Sequence, residues 1–398
     1  MLGWCDKCNA VATDGLCPKH GTTRPLSHVN SVDTHPLSPF EKAFFNDRVQ
    51  GMRLGDGLFL IYSDRNYRRK VITLDYPLAQ VQLVKNEVVV TPLVKGEIQG
   101  MDTQSLVDIN QEHLDKLTQV TKAFAAWELE HSRNAVVSFS GGKDSVVLAD
   151  ILAEFRLTKV FIDTRLEFPE TYAFIHGTGD NNSSRLDVAR AESSFFSLCQ
   201  EKGFPRHGYR WCCKTQKFAP FARYLNEHFG DEQVSVFSGE RRWEGMYRMT
   251  QPLRKAHKHI PTQQTIQPLL DWFALDIWCY IWSRGLPVNR IYDFFDRCGC
   301  WLCPFGLEYR IYLLQFTHPK LYASLVKIGG VSSRAAPKKE TGGNGRKPCM
   351  MELEGKMVKT CDVYGHFFVN GVCFRCGEKG PSTIEVPTST SIAHKLVV

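Results

Sequence analysis

Long hydrophobic runs are missing from this sequence. No apolar stretch approaches the ~18 residues that a membrane-spanning helix needs. The first residues, MLGWCDKC, contain no apolar core of a signal peptide. We therefore expect a cytoplasmic protein with no membrane partner.

The excess of positive charge is also small: 49 Lys and Arg against 42 Asp and Glu give a formal net charge of +7. That value suits a nucleotide or nucleic-acid partner, but it is equally typical of an ordinary solvated surface.

Cysteine, by contrast, is plentiful, with fourteen residues in a chain of 398. In a small secreted protein this number would indicate disulfide bonds. In a cytoplasmic chain, cysteines grouped at Cys-x-x-Cys spacing indicate bound metals instead. The length allows two or three domains.

The stretch VVSFSGGKDS occupies the centre of the chain. An apolar run at 135–139 predicts a buried strand, and an apolar-periodic helix begins at Lys143. A glycine-rich turn between a strand and a helix aims backbone N–H groups and the positive helix end at phosphate. The GxxxxGK[ST] spacing of the common nucleoside triphosphatases is absent. This turn therefore predicts a phosphate site, and an ordinary strand-to-helix turn is the alternative. The ligands of the phosphate site would be Ser138, Ser140, Gly141, Gly142, Lys143, Asp144 and Ser145.

Strands and helices alternate between residues 101 and 330. This alternation predicts an α/β domain in which a parallel sheet has helices on both faces. Ligands in such folds bind beyond the carboxyl ends of the strands. Asp163, Thr164 and Gly239 lie at predicted strand ends and are candidate nucleotide contacts. Arg241 and Arg242 follow there, and forked guanidinium groups suit phosphate or sulfate, although surface salt bridges are the alternative.

Residues 1–25 carry two short cysteine knuckles. Cys5 and Cys8 form one, and Cys17 and His20 form the other. Four such ligands suit one tetrahedral zinc ion, and metal binding would supply the folding energy of so short a segment. The sequence therefore predicts a zinc ribbon.

Residues 26–100 contain short predicted strands separated by turn residues, and a short helix with Ser38 as its cap. They predict a small β-rich domain. Contact with RNA or a nucleotide through Arg65, Arg68, Arg69 and Lys70 is one hypothesis for it. A plain docking role is the other.

The remaining cysteines form two sets. Cys212 and Cys213 are adjacent, and they are matched by Cys300 and Cys303 far along the chain. Adjacent thiols can both reach a cluster too large for one tetrahedral ion, while zinc held by the same four thiolates is the alternative. Beyond a basic linker, a second zinc module is predicted on Cys361, His366, Cys373 and Cys376.

Five motifs in a fixed order resemble the phosphoadenosine-phosphosulfate (PAPS) reductase family. The family belongs to the ATP-pyrophosphatase, or adenine nucleotide alpha-hydrolase-like, superfamily. The motifs are SGGKDS, FIDTRLEFPET (161–171), WCCKTQKFAPF (211–221), SGERRWEGMYR (238–248) and CGCWLCP (298–304). The resemblance covers residues 130–325. It implies an adenine nucleotide on the SGGKDS loop and, as in the cluster-bearing branch of the family, a [4Fe–4S] cluster on the four central cysteines.

The resemblance also implies an activity. A PAPS or adenylyl-sulfate (APS) reductase would reduce the nucleotide's sulfate to sulfite near the cluster, with Lys143, Asp144, Arg241 and Arg242 as catalytic residues. Many members of the family end in a nucleophilic cysteine within an ECG-type tail, which Cys376 resembles only faintly. Thioredoxin or ferredoxin would be the electron donor, and a homodimer is compatible with the sequence.

Two other functions stay open. The intact loop suits an ATP-pyrophosphatase that activates tRNA or DNA for sulfur insertion. A binding module with a structural cluster, without catalysis, is the third hypothesis. The predicted organisation is therefore a zinc ribbon (1–25), a β-rich accessory domain (26–100), a catalytic domain (101–330), a linker (331–348), a second zinc module (349–380) and a loose tail (381–398).

Overall fold

A computed structural model describes most of the chain up to residue 328. The described residues are 2–26, 29, 34–63, 69–84, 87–178, 185–206, 208–245, 247–303 and 308–328, with short strands at 350–353, 356–359, 368–369 and 372–373. The chain divides into two compact units, Met1–Ala335 and Ala336–Val398. The finer domain boundaries stay predictions.

The N-terminal segment consists of five very short strands. They are β1 (Gly3–Cys5), β2 (Ala10–Ala12), β3 (Leu16–Cys17), β4 (Gly21–Thr22) and β5 (Arg24–Pro25). Strands β2, β1 and β5 form one sheet, and β3 pairs with β4 in a hairpin. The side chains of Trp4 and Val11 in these strands are buried.

The next segment is mainly an antiparallel sheet. Its elements are β6 (His35–Pro36), α1 (Pro39–Asn46), β7 (Met52–Leu54), β8 (Leu60–Ser63), β9 (Arg69–Thr73), β10 (Pro77–Val84), β11 (Glu87–Pro92) and β12 (Gly96–Ile98). The sheet order is β11-β10-β9-β8-β6. Ser38 caps α1 as predicted: its hydroxyl accepts the Glu41 N–H, and the Glu41 carboxylate closes a capping box. Of the four basic residues considered for RNA contact, Lys70 is buried, and Arg65 and Arg68 lie outside the described residues.

A six-stranded sheet forms the centre of the segment from Thr103 to Lys327. Its elements in order are α2 (Thr103–Glu130), β13 (Asn134–Ser138), α3 (Lys143–Ile151), β14 (Thr158–Asp163), α4 (Pro169–Thr178), β15 (Leu186–Arg190), α5 (Phe195–Lys202), α6 (Trp211–Cys213), α7 (Ala219–Phe229), β16 (Val234–Phe237), β17 (Arg254–Ala256), β18 (Gln263–Ile266), α8 (Ala274–Arg284), α9 (Glu308–Thr317) and α10 (Pro319–Lys327). The strand order is β15-β14-β13-β16-β18-β17. All pairs are parallel except β17 with β18.

Helices cover both faces of this sheet, which confirms the predicted α/β class. On one face, Phe221 and Leu225 of α7 pack against Val136 and Val234 of the strands. On the other, Val146 of α3 and Ile175 of α4 pack with Phe161. Because parallel strands are buried on both faces, their sequences are nearly continuous apolar runs, which is why four of the six could be predicted.

The edge strand β17 and its neighbour β18 were not predicted. Both are short, and β17 reads Arg-Lys-Ala with two exposed residues. A polar three-residue strand gives no apolar alternation to detect. The hairpin adds an antiparallel edge to the predicted parallel sheet.

The second unit contributes only short strands to the description. They are β19 (Met350–Leu353), β20 (Lys356–Lys359), β21 (Phe368–Val369) and β22 (Val372–Cys373), paired as two antiparallel hairpins. The predicted ligands Cys361, His366 and Cys376 lie outside the described residues, as do the whole predicted linker and the tail. No helix in the described part of the chain has the length and apolar character of a membrane span.

A buried amide attaches the N-terminal segment to α2. Asn110 is fully buried. Its carbonyl oxygen accepts the Thr13 N–H at 2.7 Å and the Thr13 hydroxyl at 3.0 Å, and its amide donates to the Val11 and Leu106 carbonyls at 2.8 Å. Every polar atom of the side chain is therefore paired.

Asn110→Ala leaves the Thr13 N–H and the Val11 carbonyl unpaired. We expect the free energy of unfolding to fall by about 1–3 kcal/mol, measured by urea denaturation with tryptophan fluorescence. The neighbouring exposed residue gives the control, since Gln111→Ala should stay within about 0.5 kcal/mol of the wild type. Equal unfolding midpoints for the two variants would contradict this role of Asn110.

Candidate active site

The loop between β13 and α3 is closed by its own serines. The Ser145 hydroxyl donates to the Gly142 carbonyl at 2.8 Å and accepts the Ser140 N–H at 3.2 Å. The Ser140 hydroxyl accepts the Gly142 N–H at 3.3 Å. Gly141 has a φ of +69°, in the left-handed region that favours glycine. The predicted phosphate loop is therefore a tight turn at the amino end of a nine-residue helix, and Ser138 is the last residue of the preceding strand.

Two side chains from the segment just before Cys298 contact this loop. The Tyr292 hydroxyl accepts the Lys143 N–H at 2.9 Å, and the Asn289 amide donates to the Gly141 carbonyl at 3.2 Å. Cys298 also touches the loop, with its sulfur 3.8 Å from the Ser140 carbonyl oxygen. The loop and the cysteine-bearing segment are thus in direct contact.

Asp144 is the charged centre of the loop. The Arg241 guanidinium donates to one of its carboxylate oxygens, and the Lys143 ammonium lies 2.8 Å from the other. Burial alone would raise the pKa of Asp144, but the charges of Arg241 and Lys143 outweigh it and hold the pKa well below its ordinary value. Asp144 is therefore an anion at neutral pH, paired with two cations.

Gly239 makes this ion pair possible. A Cβ atom at position 239 would lie 2.9 Å from the Asp144 carbonyl group, closer than packed atoms approach. The missing side chain lets the segment after β16 pass directly over the first turn of α3, which brings Arg241 to Asp144. Arg241 itself is fully buried.

Arg242 points elsewhere, although it is the next residue. Its guanidinium binds Asp271 at 2.7 Å and donates to the carbonyls of Met249 and Gln251, each at 2.9 Å. None of these partners belongs to the phosphate loop. The structure thus brings Arg241 to the loop and places Arg242 where it supports the 249–251 turn.

The two polar residues after β14 bind protein groups. The Asp163 carboxylate accepts the Arg165 N–H, the Tyr172 hydroxyl and the Arg190 guanidinium, at 2.8–2.9 Å. The Thr164 hydroxyl donates to Glu167 at 2.7 Å and lies 3.5 Å from the Cys300 sulfur. Asp163 orders the strand end, while Thr164 contacts the cysteine group.

The four central cysteines come together beside this strand end. Cys212 and Cys213 lie on α6, directly before a π-helical turn at Lys214–Phe218, a feature common at functional sites. Cys300 and Cys303 come from the loop before α9. Their charges interact, since Cys213, Cys300 and Cys303 all raise the pKa of Cys212.

One thiol of the adjacent pair is strongly acidic. A hydrogen bond from Cys212, aided by the Arg210 guanidinium 3.3 Å from the sulfur, lowers the pKa of Cys213 to about 5 against the effect of burial. The same pairing raises the pKa of Cys212, which keeps its proton. Thiolate is the form that ligates metals.

Among the described residues, the four central thiols do not form the compact group expected of a single-ion site. In the described part of the chain, one group of three or more Cys, His, Asp or Glu residues has ligand atoms all within 4.8 Å of one another, and it lies at the N-terminus. The sulfurs of a tetrahedral zinc site with bonds of about 2.3 Å would be roughly 3.8 Å apart. Four thiols contributed by two distant segments are a donor set that can bind a metal.

Two cations that the sequence did not single out lie near the site: Lys217 beside the cysteines, and Arg248 near Asp144 and Arg241. The charge of Lys217, four residues after Cys213, contributes to the low pKa of Cys213. It also opposes the rise in the pKa of Glu167 that burial causes. Its position in the WCCKTQKF motif was the available signal. Arg248 binds Glu244 and lies near Glu240.

Arg310 is a further cation at the site. Its guanidinium lies over the neighbouring rings of Phe168 and Phe295, 5.3 and 5.1 Å from their centroids. Its Nε and Nη2 atoms are buried without a hydrogen-bond partner among the described residues. Burial lowers the pKa of Arg310, although the charges of Asp296, Cys303 and Cys298 oppose the shift.

The N-terminal ligands form a compact group. The Nδ1 atom of His20 lies 3.4, 3.3 and 3.5 Å from the sulfurs of Cys5, Cys8 and Cys17. All four ligand atoms lie within 4.8 Å of one another. Three thiols and one imidazole at this spacing fit one tetrahedral ion such as zinc.

A model of the phosphoadenosine phosphosulfate reductase domain matches residues 134–305. Two uncharacterized proteins of Methanocaldococcus jannaschii are 29% identical over 243 residues and 35% identical over 174 residues. These matches cover 59% and 42% of this chain, and the chain spans 58% and 36% of the lengths of those relatives.

A named enzyme and a solved structure are also similar. Adenosine 5′-phosphosulfate reductase 2 of Bacillus subtilis is 25% identical over 207 residues, which is 49% of this chain and 81% of that enzyme. The crystal structure of phosphoadenylyl-sulfate reductase from Candida auris, a phosphate complex, is 20% identical with a TM-score of 0.39. It covers 48% of this chain and 96% of that chain.

Cys17→Ser should remove the metal from the N-terminal group, because three ligands do not complete a tetrahedral site. We expect the zinc content of the purified chain, measured by inductively coupled plasma mass spectrometry, to fall by one equivalent. Lys7→Ala, an exposed change between the first two ligands, is the control and should keep the wild-type zinc content. Full zinc in Cys17→Ser would exclude this residue as a ligand.

Proposed function

We propose that this chain, whose residues 134–305 match the phosphoadenosine phosphosulfate reductase domain, binds PAPS or APS on the Ser140–Ser145 loop and reduces the sulfate to sulfite. The [4Fe–4S] cluster of the proposal would be held by Cys212, Cys213, Cys300 and Cys303. Thioredoxin or ferredoxin is the proposed class of electron donor.

The contact between the phosphate loop and the cysteine group carries this proposal. Cys298 touches the loop at Ser140, and Thr164 touches Cys300 at the neighbouring strand end. A nucleotide whose phosphate lies on the loop therefore extends its next group toward the cysteines. In PAPS and APS that next group is the sulfate.

The reduction breaks the bond between the sulfate sulfur and the bridging phosphate oxygen. A thiolate attacks the sulfur and forms a thiosulfonate, and the adenosine phosphate leaves with the electron pair of the broken bond. A second thiol then attacks the thiol sulfur of this intermediate. Sulfite leaves, the two thiols become a disulfide, and two protons are released, so the donor supplies two electrons. Cys376 or a cysteine of the donor would provide the first thiol.

The chain's own residues bind and orient the nucleotide. The amino end of α3 and Lys143 place positive potential at the loop, and Arg241 balances Asp144 so that the loop does not repel an anion. Arg310, with two unpaired donor atoms among the described residues, is suited to an oxyanion near Cys298 and Cys303. A bound [4Fe–4S] cluster would supply a redox-active, electrostatically tunable group beside the reacting sulfate.

A second function has one specific observation in its favour. The phosphate loop is complete and closed by its own serines, as expected for a site that also holds pyrophosphate. ATP would then activate an oxygen of tRNA or DNA, pyrophosphate would leave, and sulfur would replace AMP. Binding of nucleic acid would in that case weaken steeply with salt.

The two functions differ in their products. We expect anaerobically purified protein with reduced methyl viologen to release sulfite from PAPS or APS without ATP. Lys143→Ala should lower this rate and weaken nucleotide affinity about tenfold or more, because a phosphate contact is lost. Lys95→Ala, an exposed change in the β-rich segment, should leave both unchanged. Pyrophosphate from ATP only in the presence of nucleic acid, without sulfite, would replace the reductase by the thiolation enzyme.

The cluster assignment has its own test. Cys213→Ser should abolish the visible iron–sulfur absorbance and most of the bound iron, since serine replaces the most acidic thiol. Cys199→Ser, a change of a half-buried thiol in α5 that is not among the proposed ligands, serves as the control and should keep both signals. Iron in Cys213→Ser at the wild-type level would show that Cys213 is not a ligand.

A further inference from the structure

The β-rich segment contacts the cysteine-bearing segment through a buried lysine. Lys70 of β9 is only 7% exposed. Its ammonium lies 3.3 Å from Asp296 and 3.8 Å from Glu41, and 4.5 Å from the centre of the Tyr309 ring. Asp296 is two residues before Cys298, so an ion pair connects residues 226 positions apart.

The β-rich segment also contacts the chain on the C-terminal side of Cys303. The Tyr309 hydroxyl, six residues after Cys303, donates to Glu41 at 2.7 Å. Glu41 in turn accepts the Ser38 hydroxyl at 3.0 Å. Asp296 and Tyr309 thus flank the three cysteines, and both are bound to one network on α1 and β9.

Lys70 and Asp296 are both charged at neutral pH. Burial would lower the pKa of Lys70, but Asp296 and Glu41 raise it above its ordinary value. Burial likewise opposes ionisation of Asp296, yet Lys70 and His35, whose ring lies 3.4 Å away, keep its pKa well below the ordinary value. Arg310 and the exposed Arg297 face the same carboxylate.

A buried ion pair is a poor source of net stability, because desolvation of the two charges offsets their attraction. Its geometry, however, is specific, because each buried charge must lie close to groups of opposite charge. Other contacts reinforce the same alignment. Phe40 and Phe44 of α1 lie 6.1 and 6.2 Å from the rings of Phe294 and Tyr312, on either side of the cysteine loop.

We propose that the β-rich segment positions the metal-binding cysteines, with Lys70 as the positioning residue that fixes the start of the 296–303 loop through Asp296. The role for the cysteines rests on the proposed function, whereas the effect on the loop does not. Lys70 is thereby a structural partner of the catalytic segment and is not available for nucleic-acid contact.

Amide hydrogen exchange of the full chain, followed by mass spectrometry, tests the proposal. In Lys70→Met we expect peptides covering 294–303 to exchange about tenfold faster or more, since the loop opens locally. Lys70→Arg retains the charge and should restore slow exchange. Lys95→Met, an exposed lysine of the same segment, is the matched control. Peptides from β10, which lies between β9 and β11 in the same sheet, should exchange as in the wild type in every variant.

A second variant covers the outcome that Lys70→Met does not fold. Asp296→Asn removes the other charge of the pair and should accelerate exchange of the same peptides. Unchanged exchange of 294–303 in both folded variants would overturn the proposal. An equal acceleration across β10 would also overturn it, because Lys70 would then act only on overall stability.

Iron content and the electron paramagnetic resonance spectrum of the reduced protein complete the test. With wild-type iron present, Lys70→Met should broaden the signal or lower the iron content, and Lys70→Arg should restore both. A wild-type chain without iron would count against the proposed function, while the exchange of the 294–303 loop would still decide the role of Lys70.

Discussion

The ion pair between Asp144 and Arg241 connects the phosphate loop to the segment that follows β16. Arg241 has no exposed surface and its guanidinium donates to Asp144, so breaking this buried pair would cost about 3–5 kcal/mol. The pair also neutralises the carboxylate that stands nearest to the expected phosphate. Loop position, loop charge and the path of the chain over α3 therefore depend on one contact, and the absence of a side chain at Gly239 permits it.

Much of the fold could be predicted because its signals are local. Apolar runs give the buried parallel strands, the Ser38 cap gives the start of α1, and glycine with serine gives the phosphate loop. The N-terminal ligands also follow from local spacing, since Cys5 and His20 are only fifteen positions apart. In each case the residues that form the feature are neighbours in the sequence.

Contacts between distant residues could not be predicted in the same way. Arg241 and Arg242 are identical in type and adjacent, yet one faces Asp144 and the other Asp271, because their side chains leave the backbone in different directions. Lys70 belongs to a basic run that suits nucleic acid, and only the structure shows its carboxylate partners. Arg310 follows the last central cysteine by seven positions and has no motif to mark it, and only the structure shows the two aromatic rings beside it.

The direct contact of the phosphate loop with Tyr292 and Cys298 has a thermodynamic consequence. The loop and the cysteine segment share hydrogen bonds, so a ligand that shifts one of them changes the free energy of the other. Binding at two coupled sites is reciprocal. If the state of the cysteine group alters nucleotide affinity by some factor, nucleotide must alter the affinity or reduction of that group by the same factor. Nucleotide binding and the state of the cysteine group would in this way influence each other through the Tyr292 hydroxyl and the Ser140–Ser145 loop.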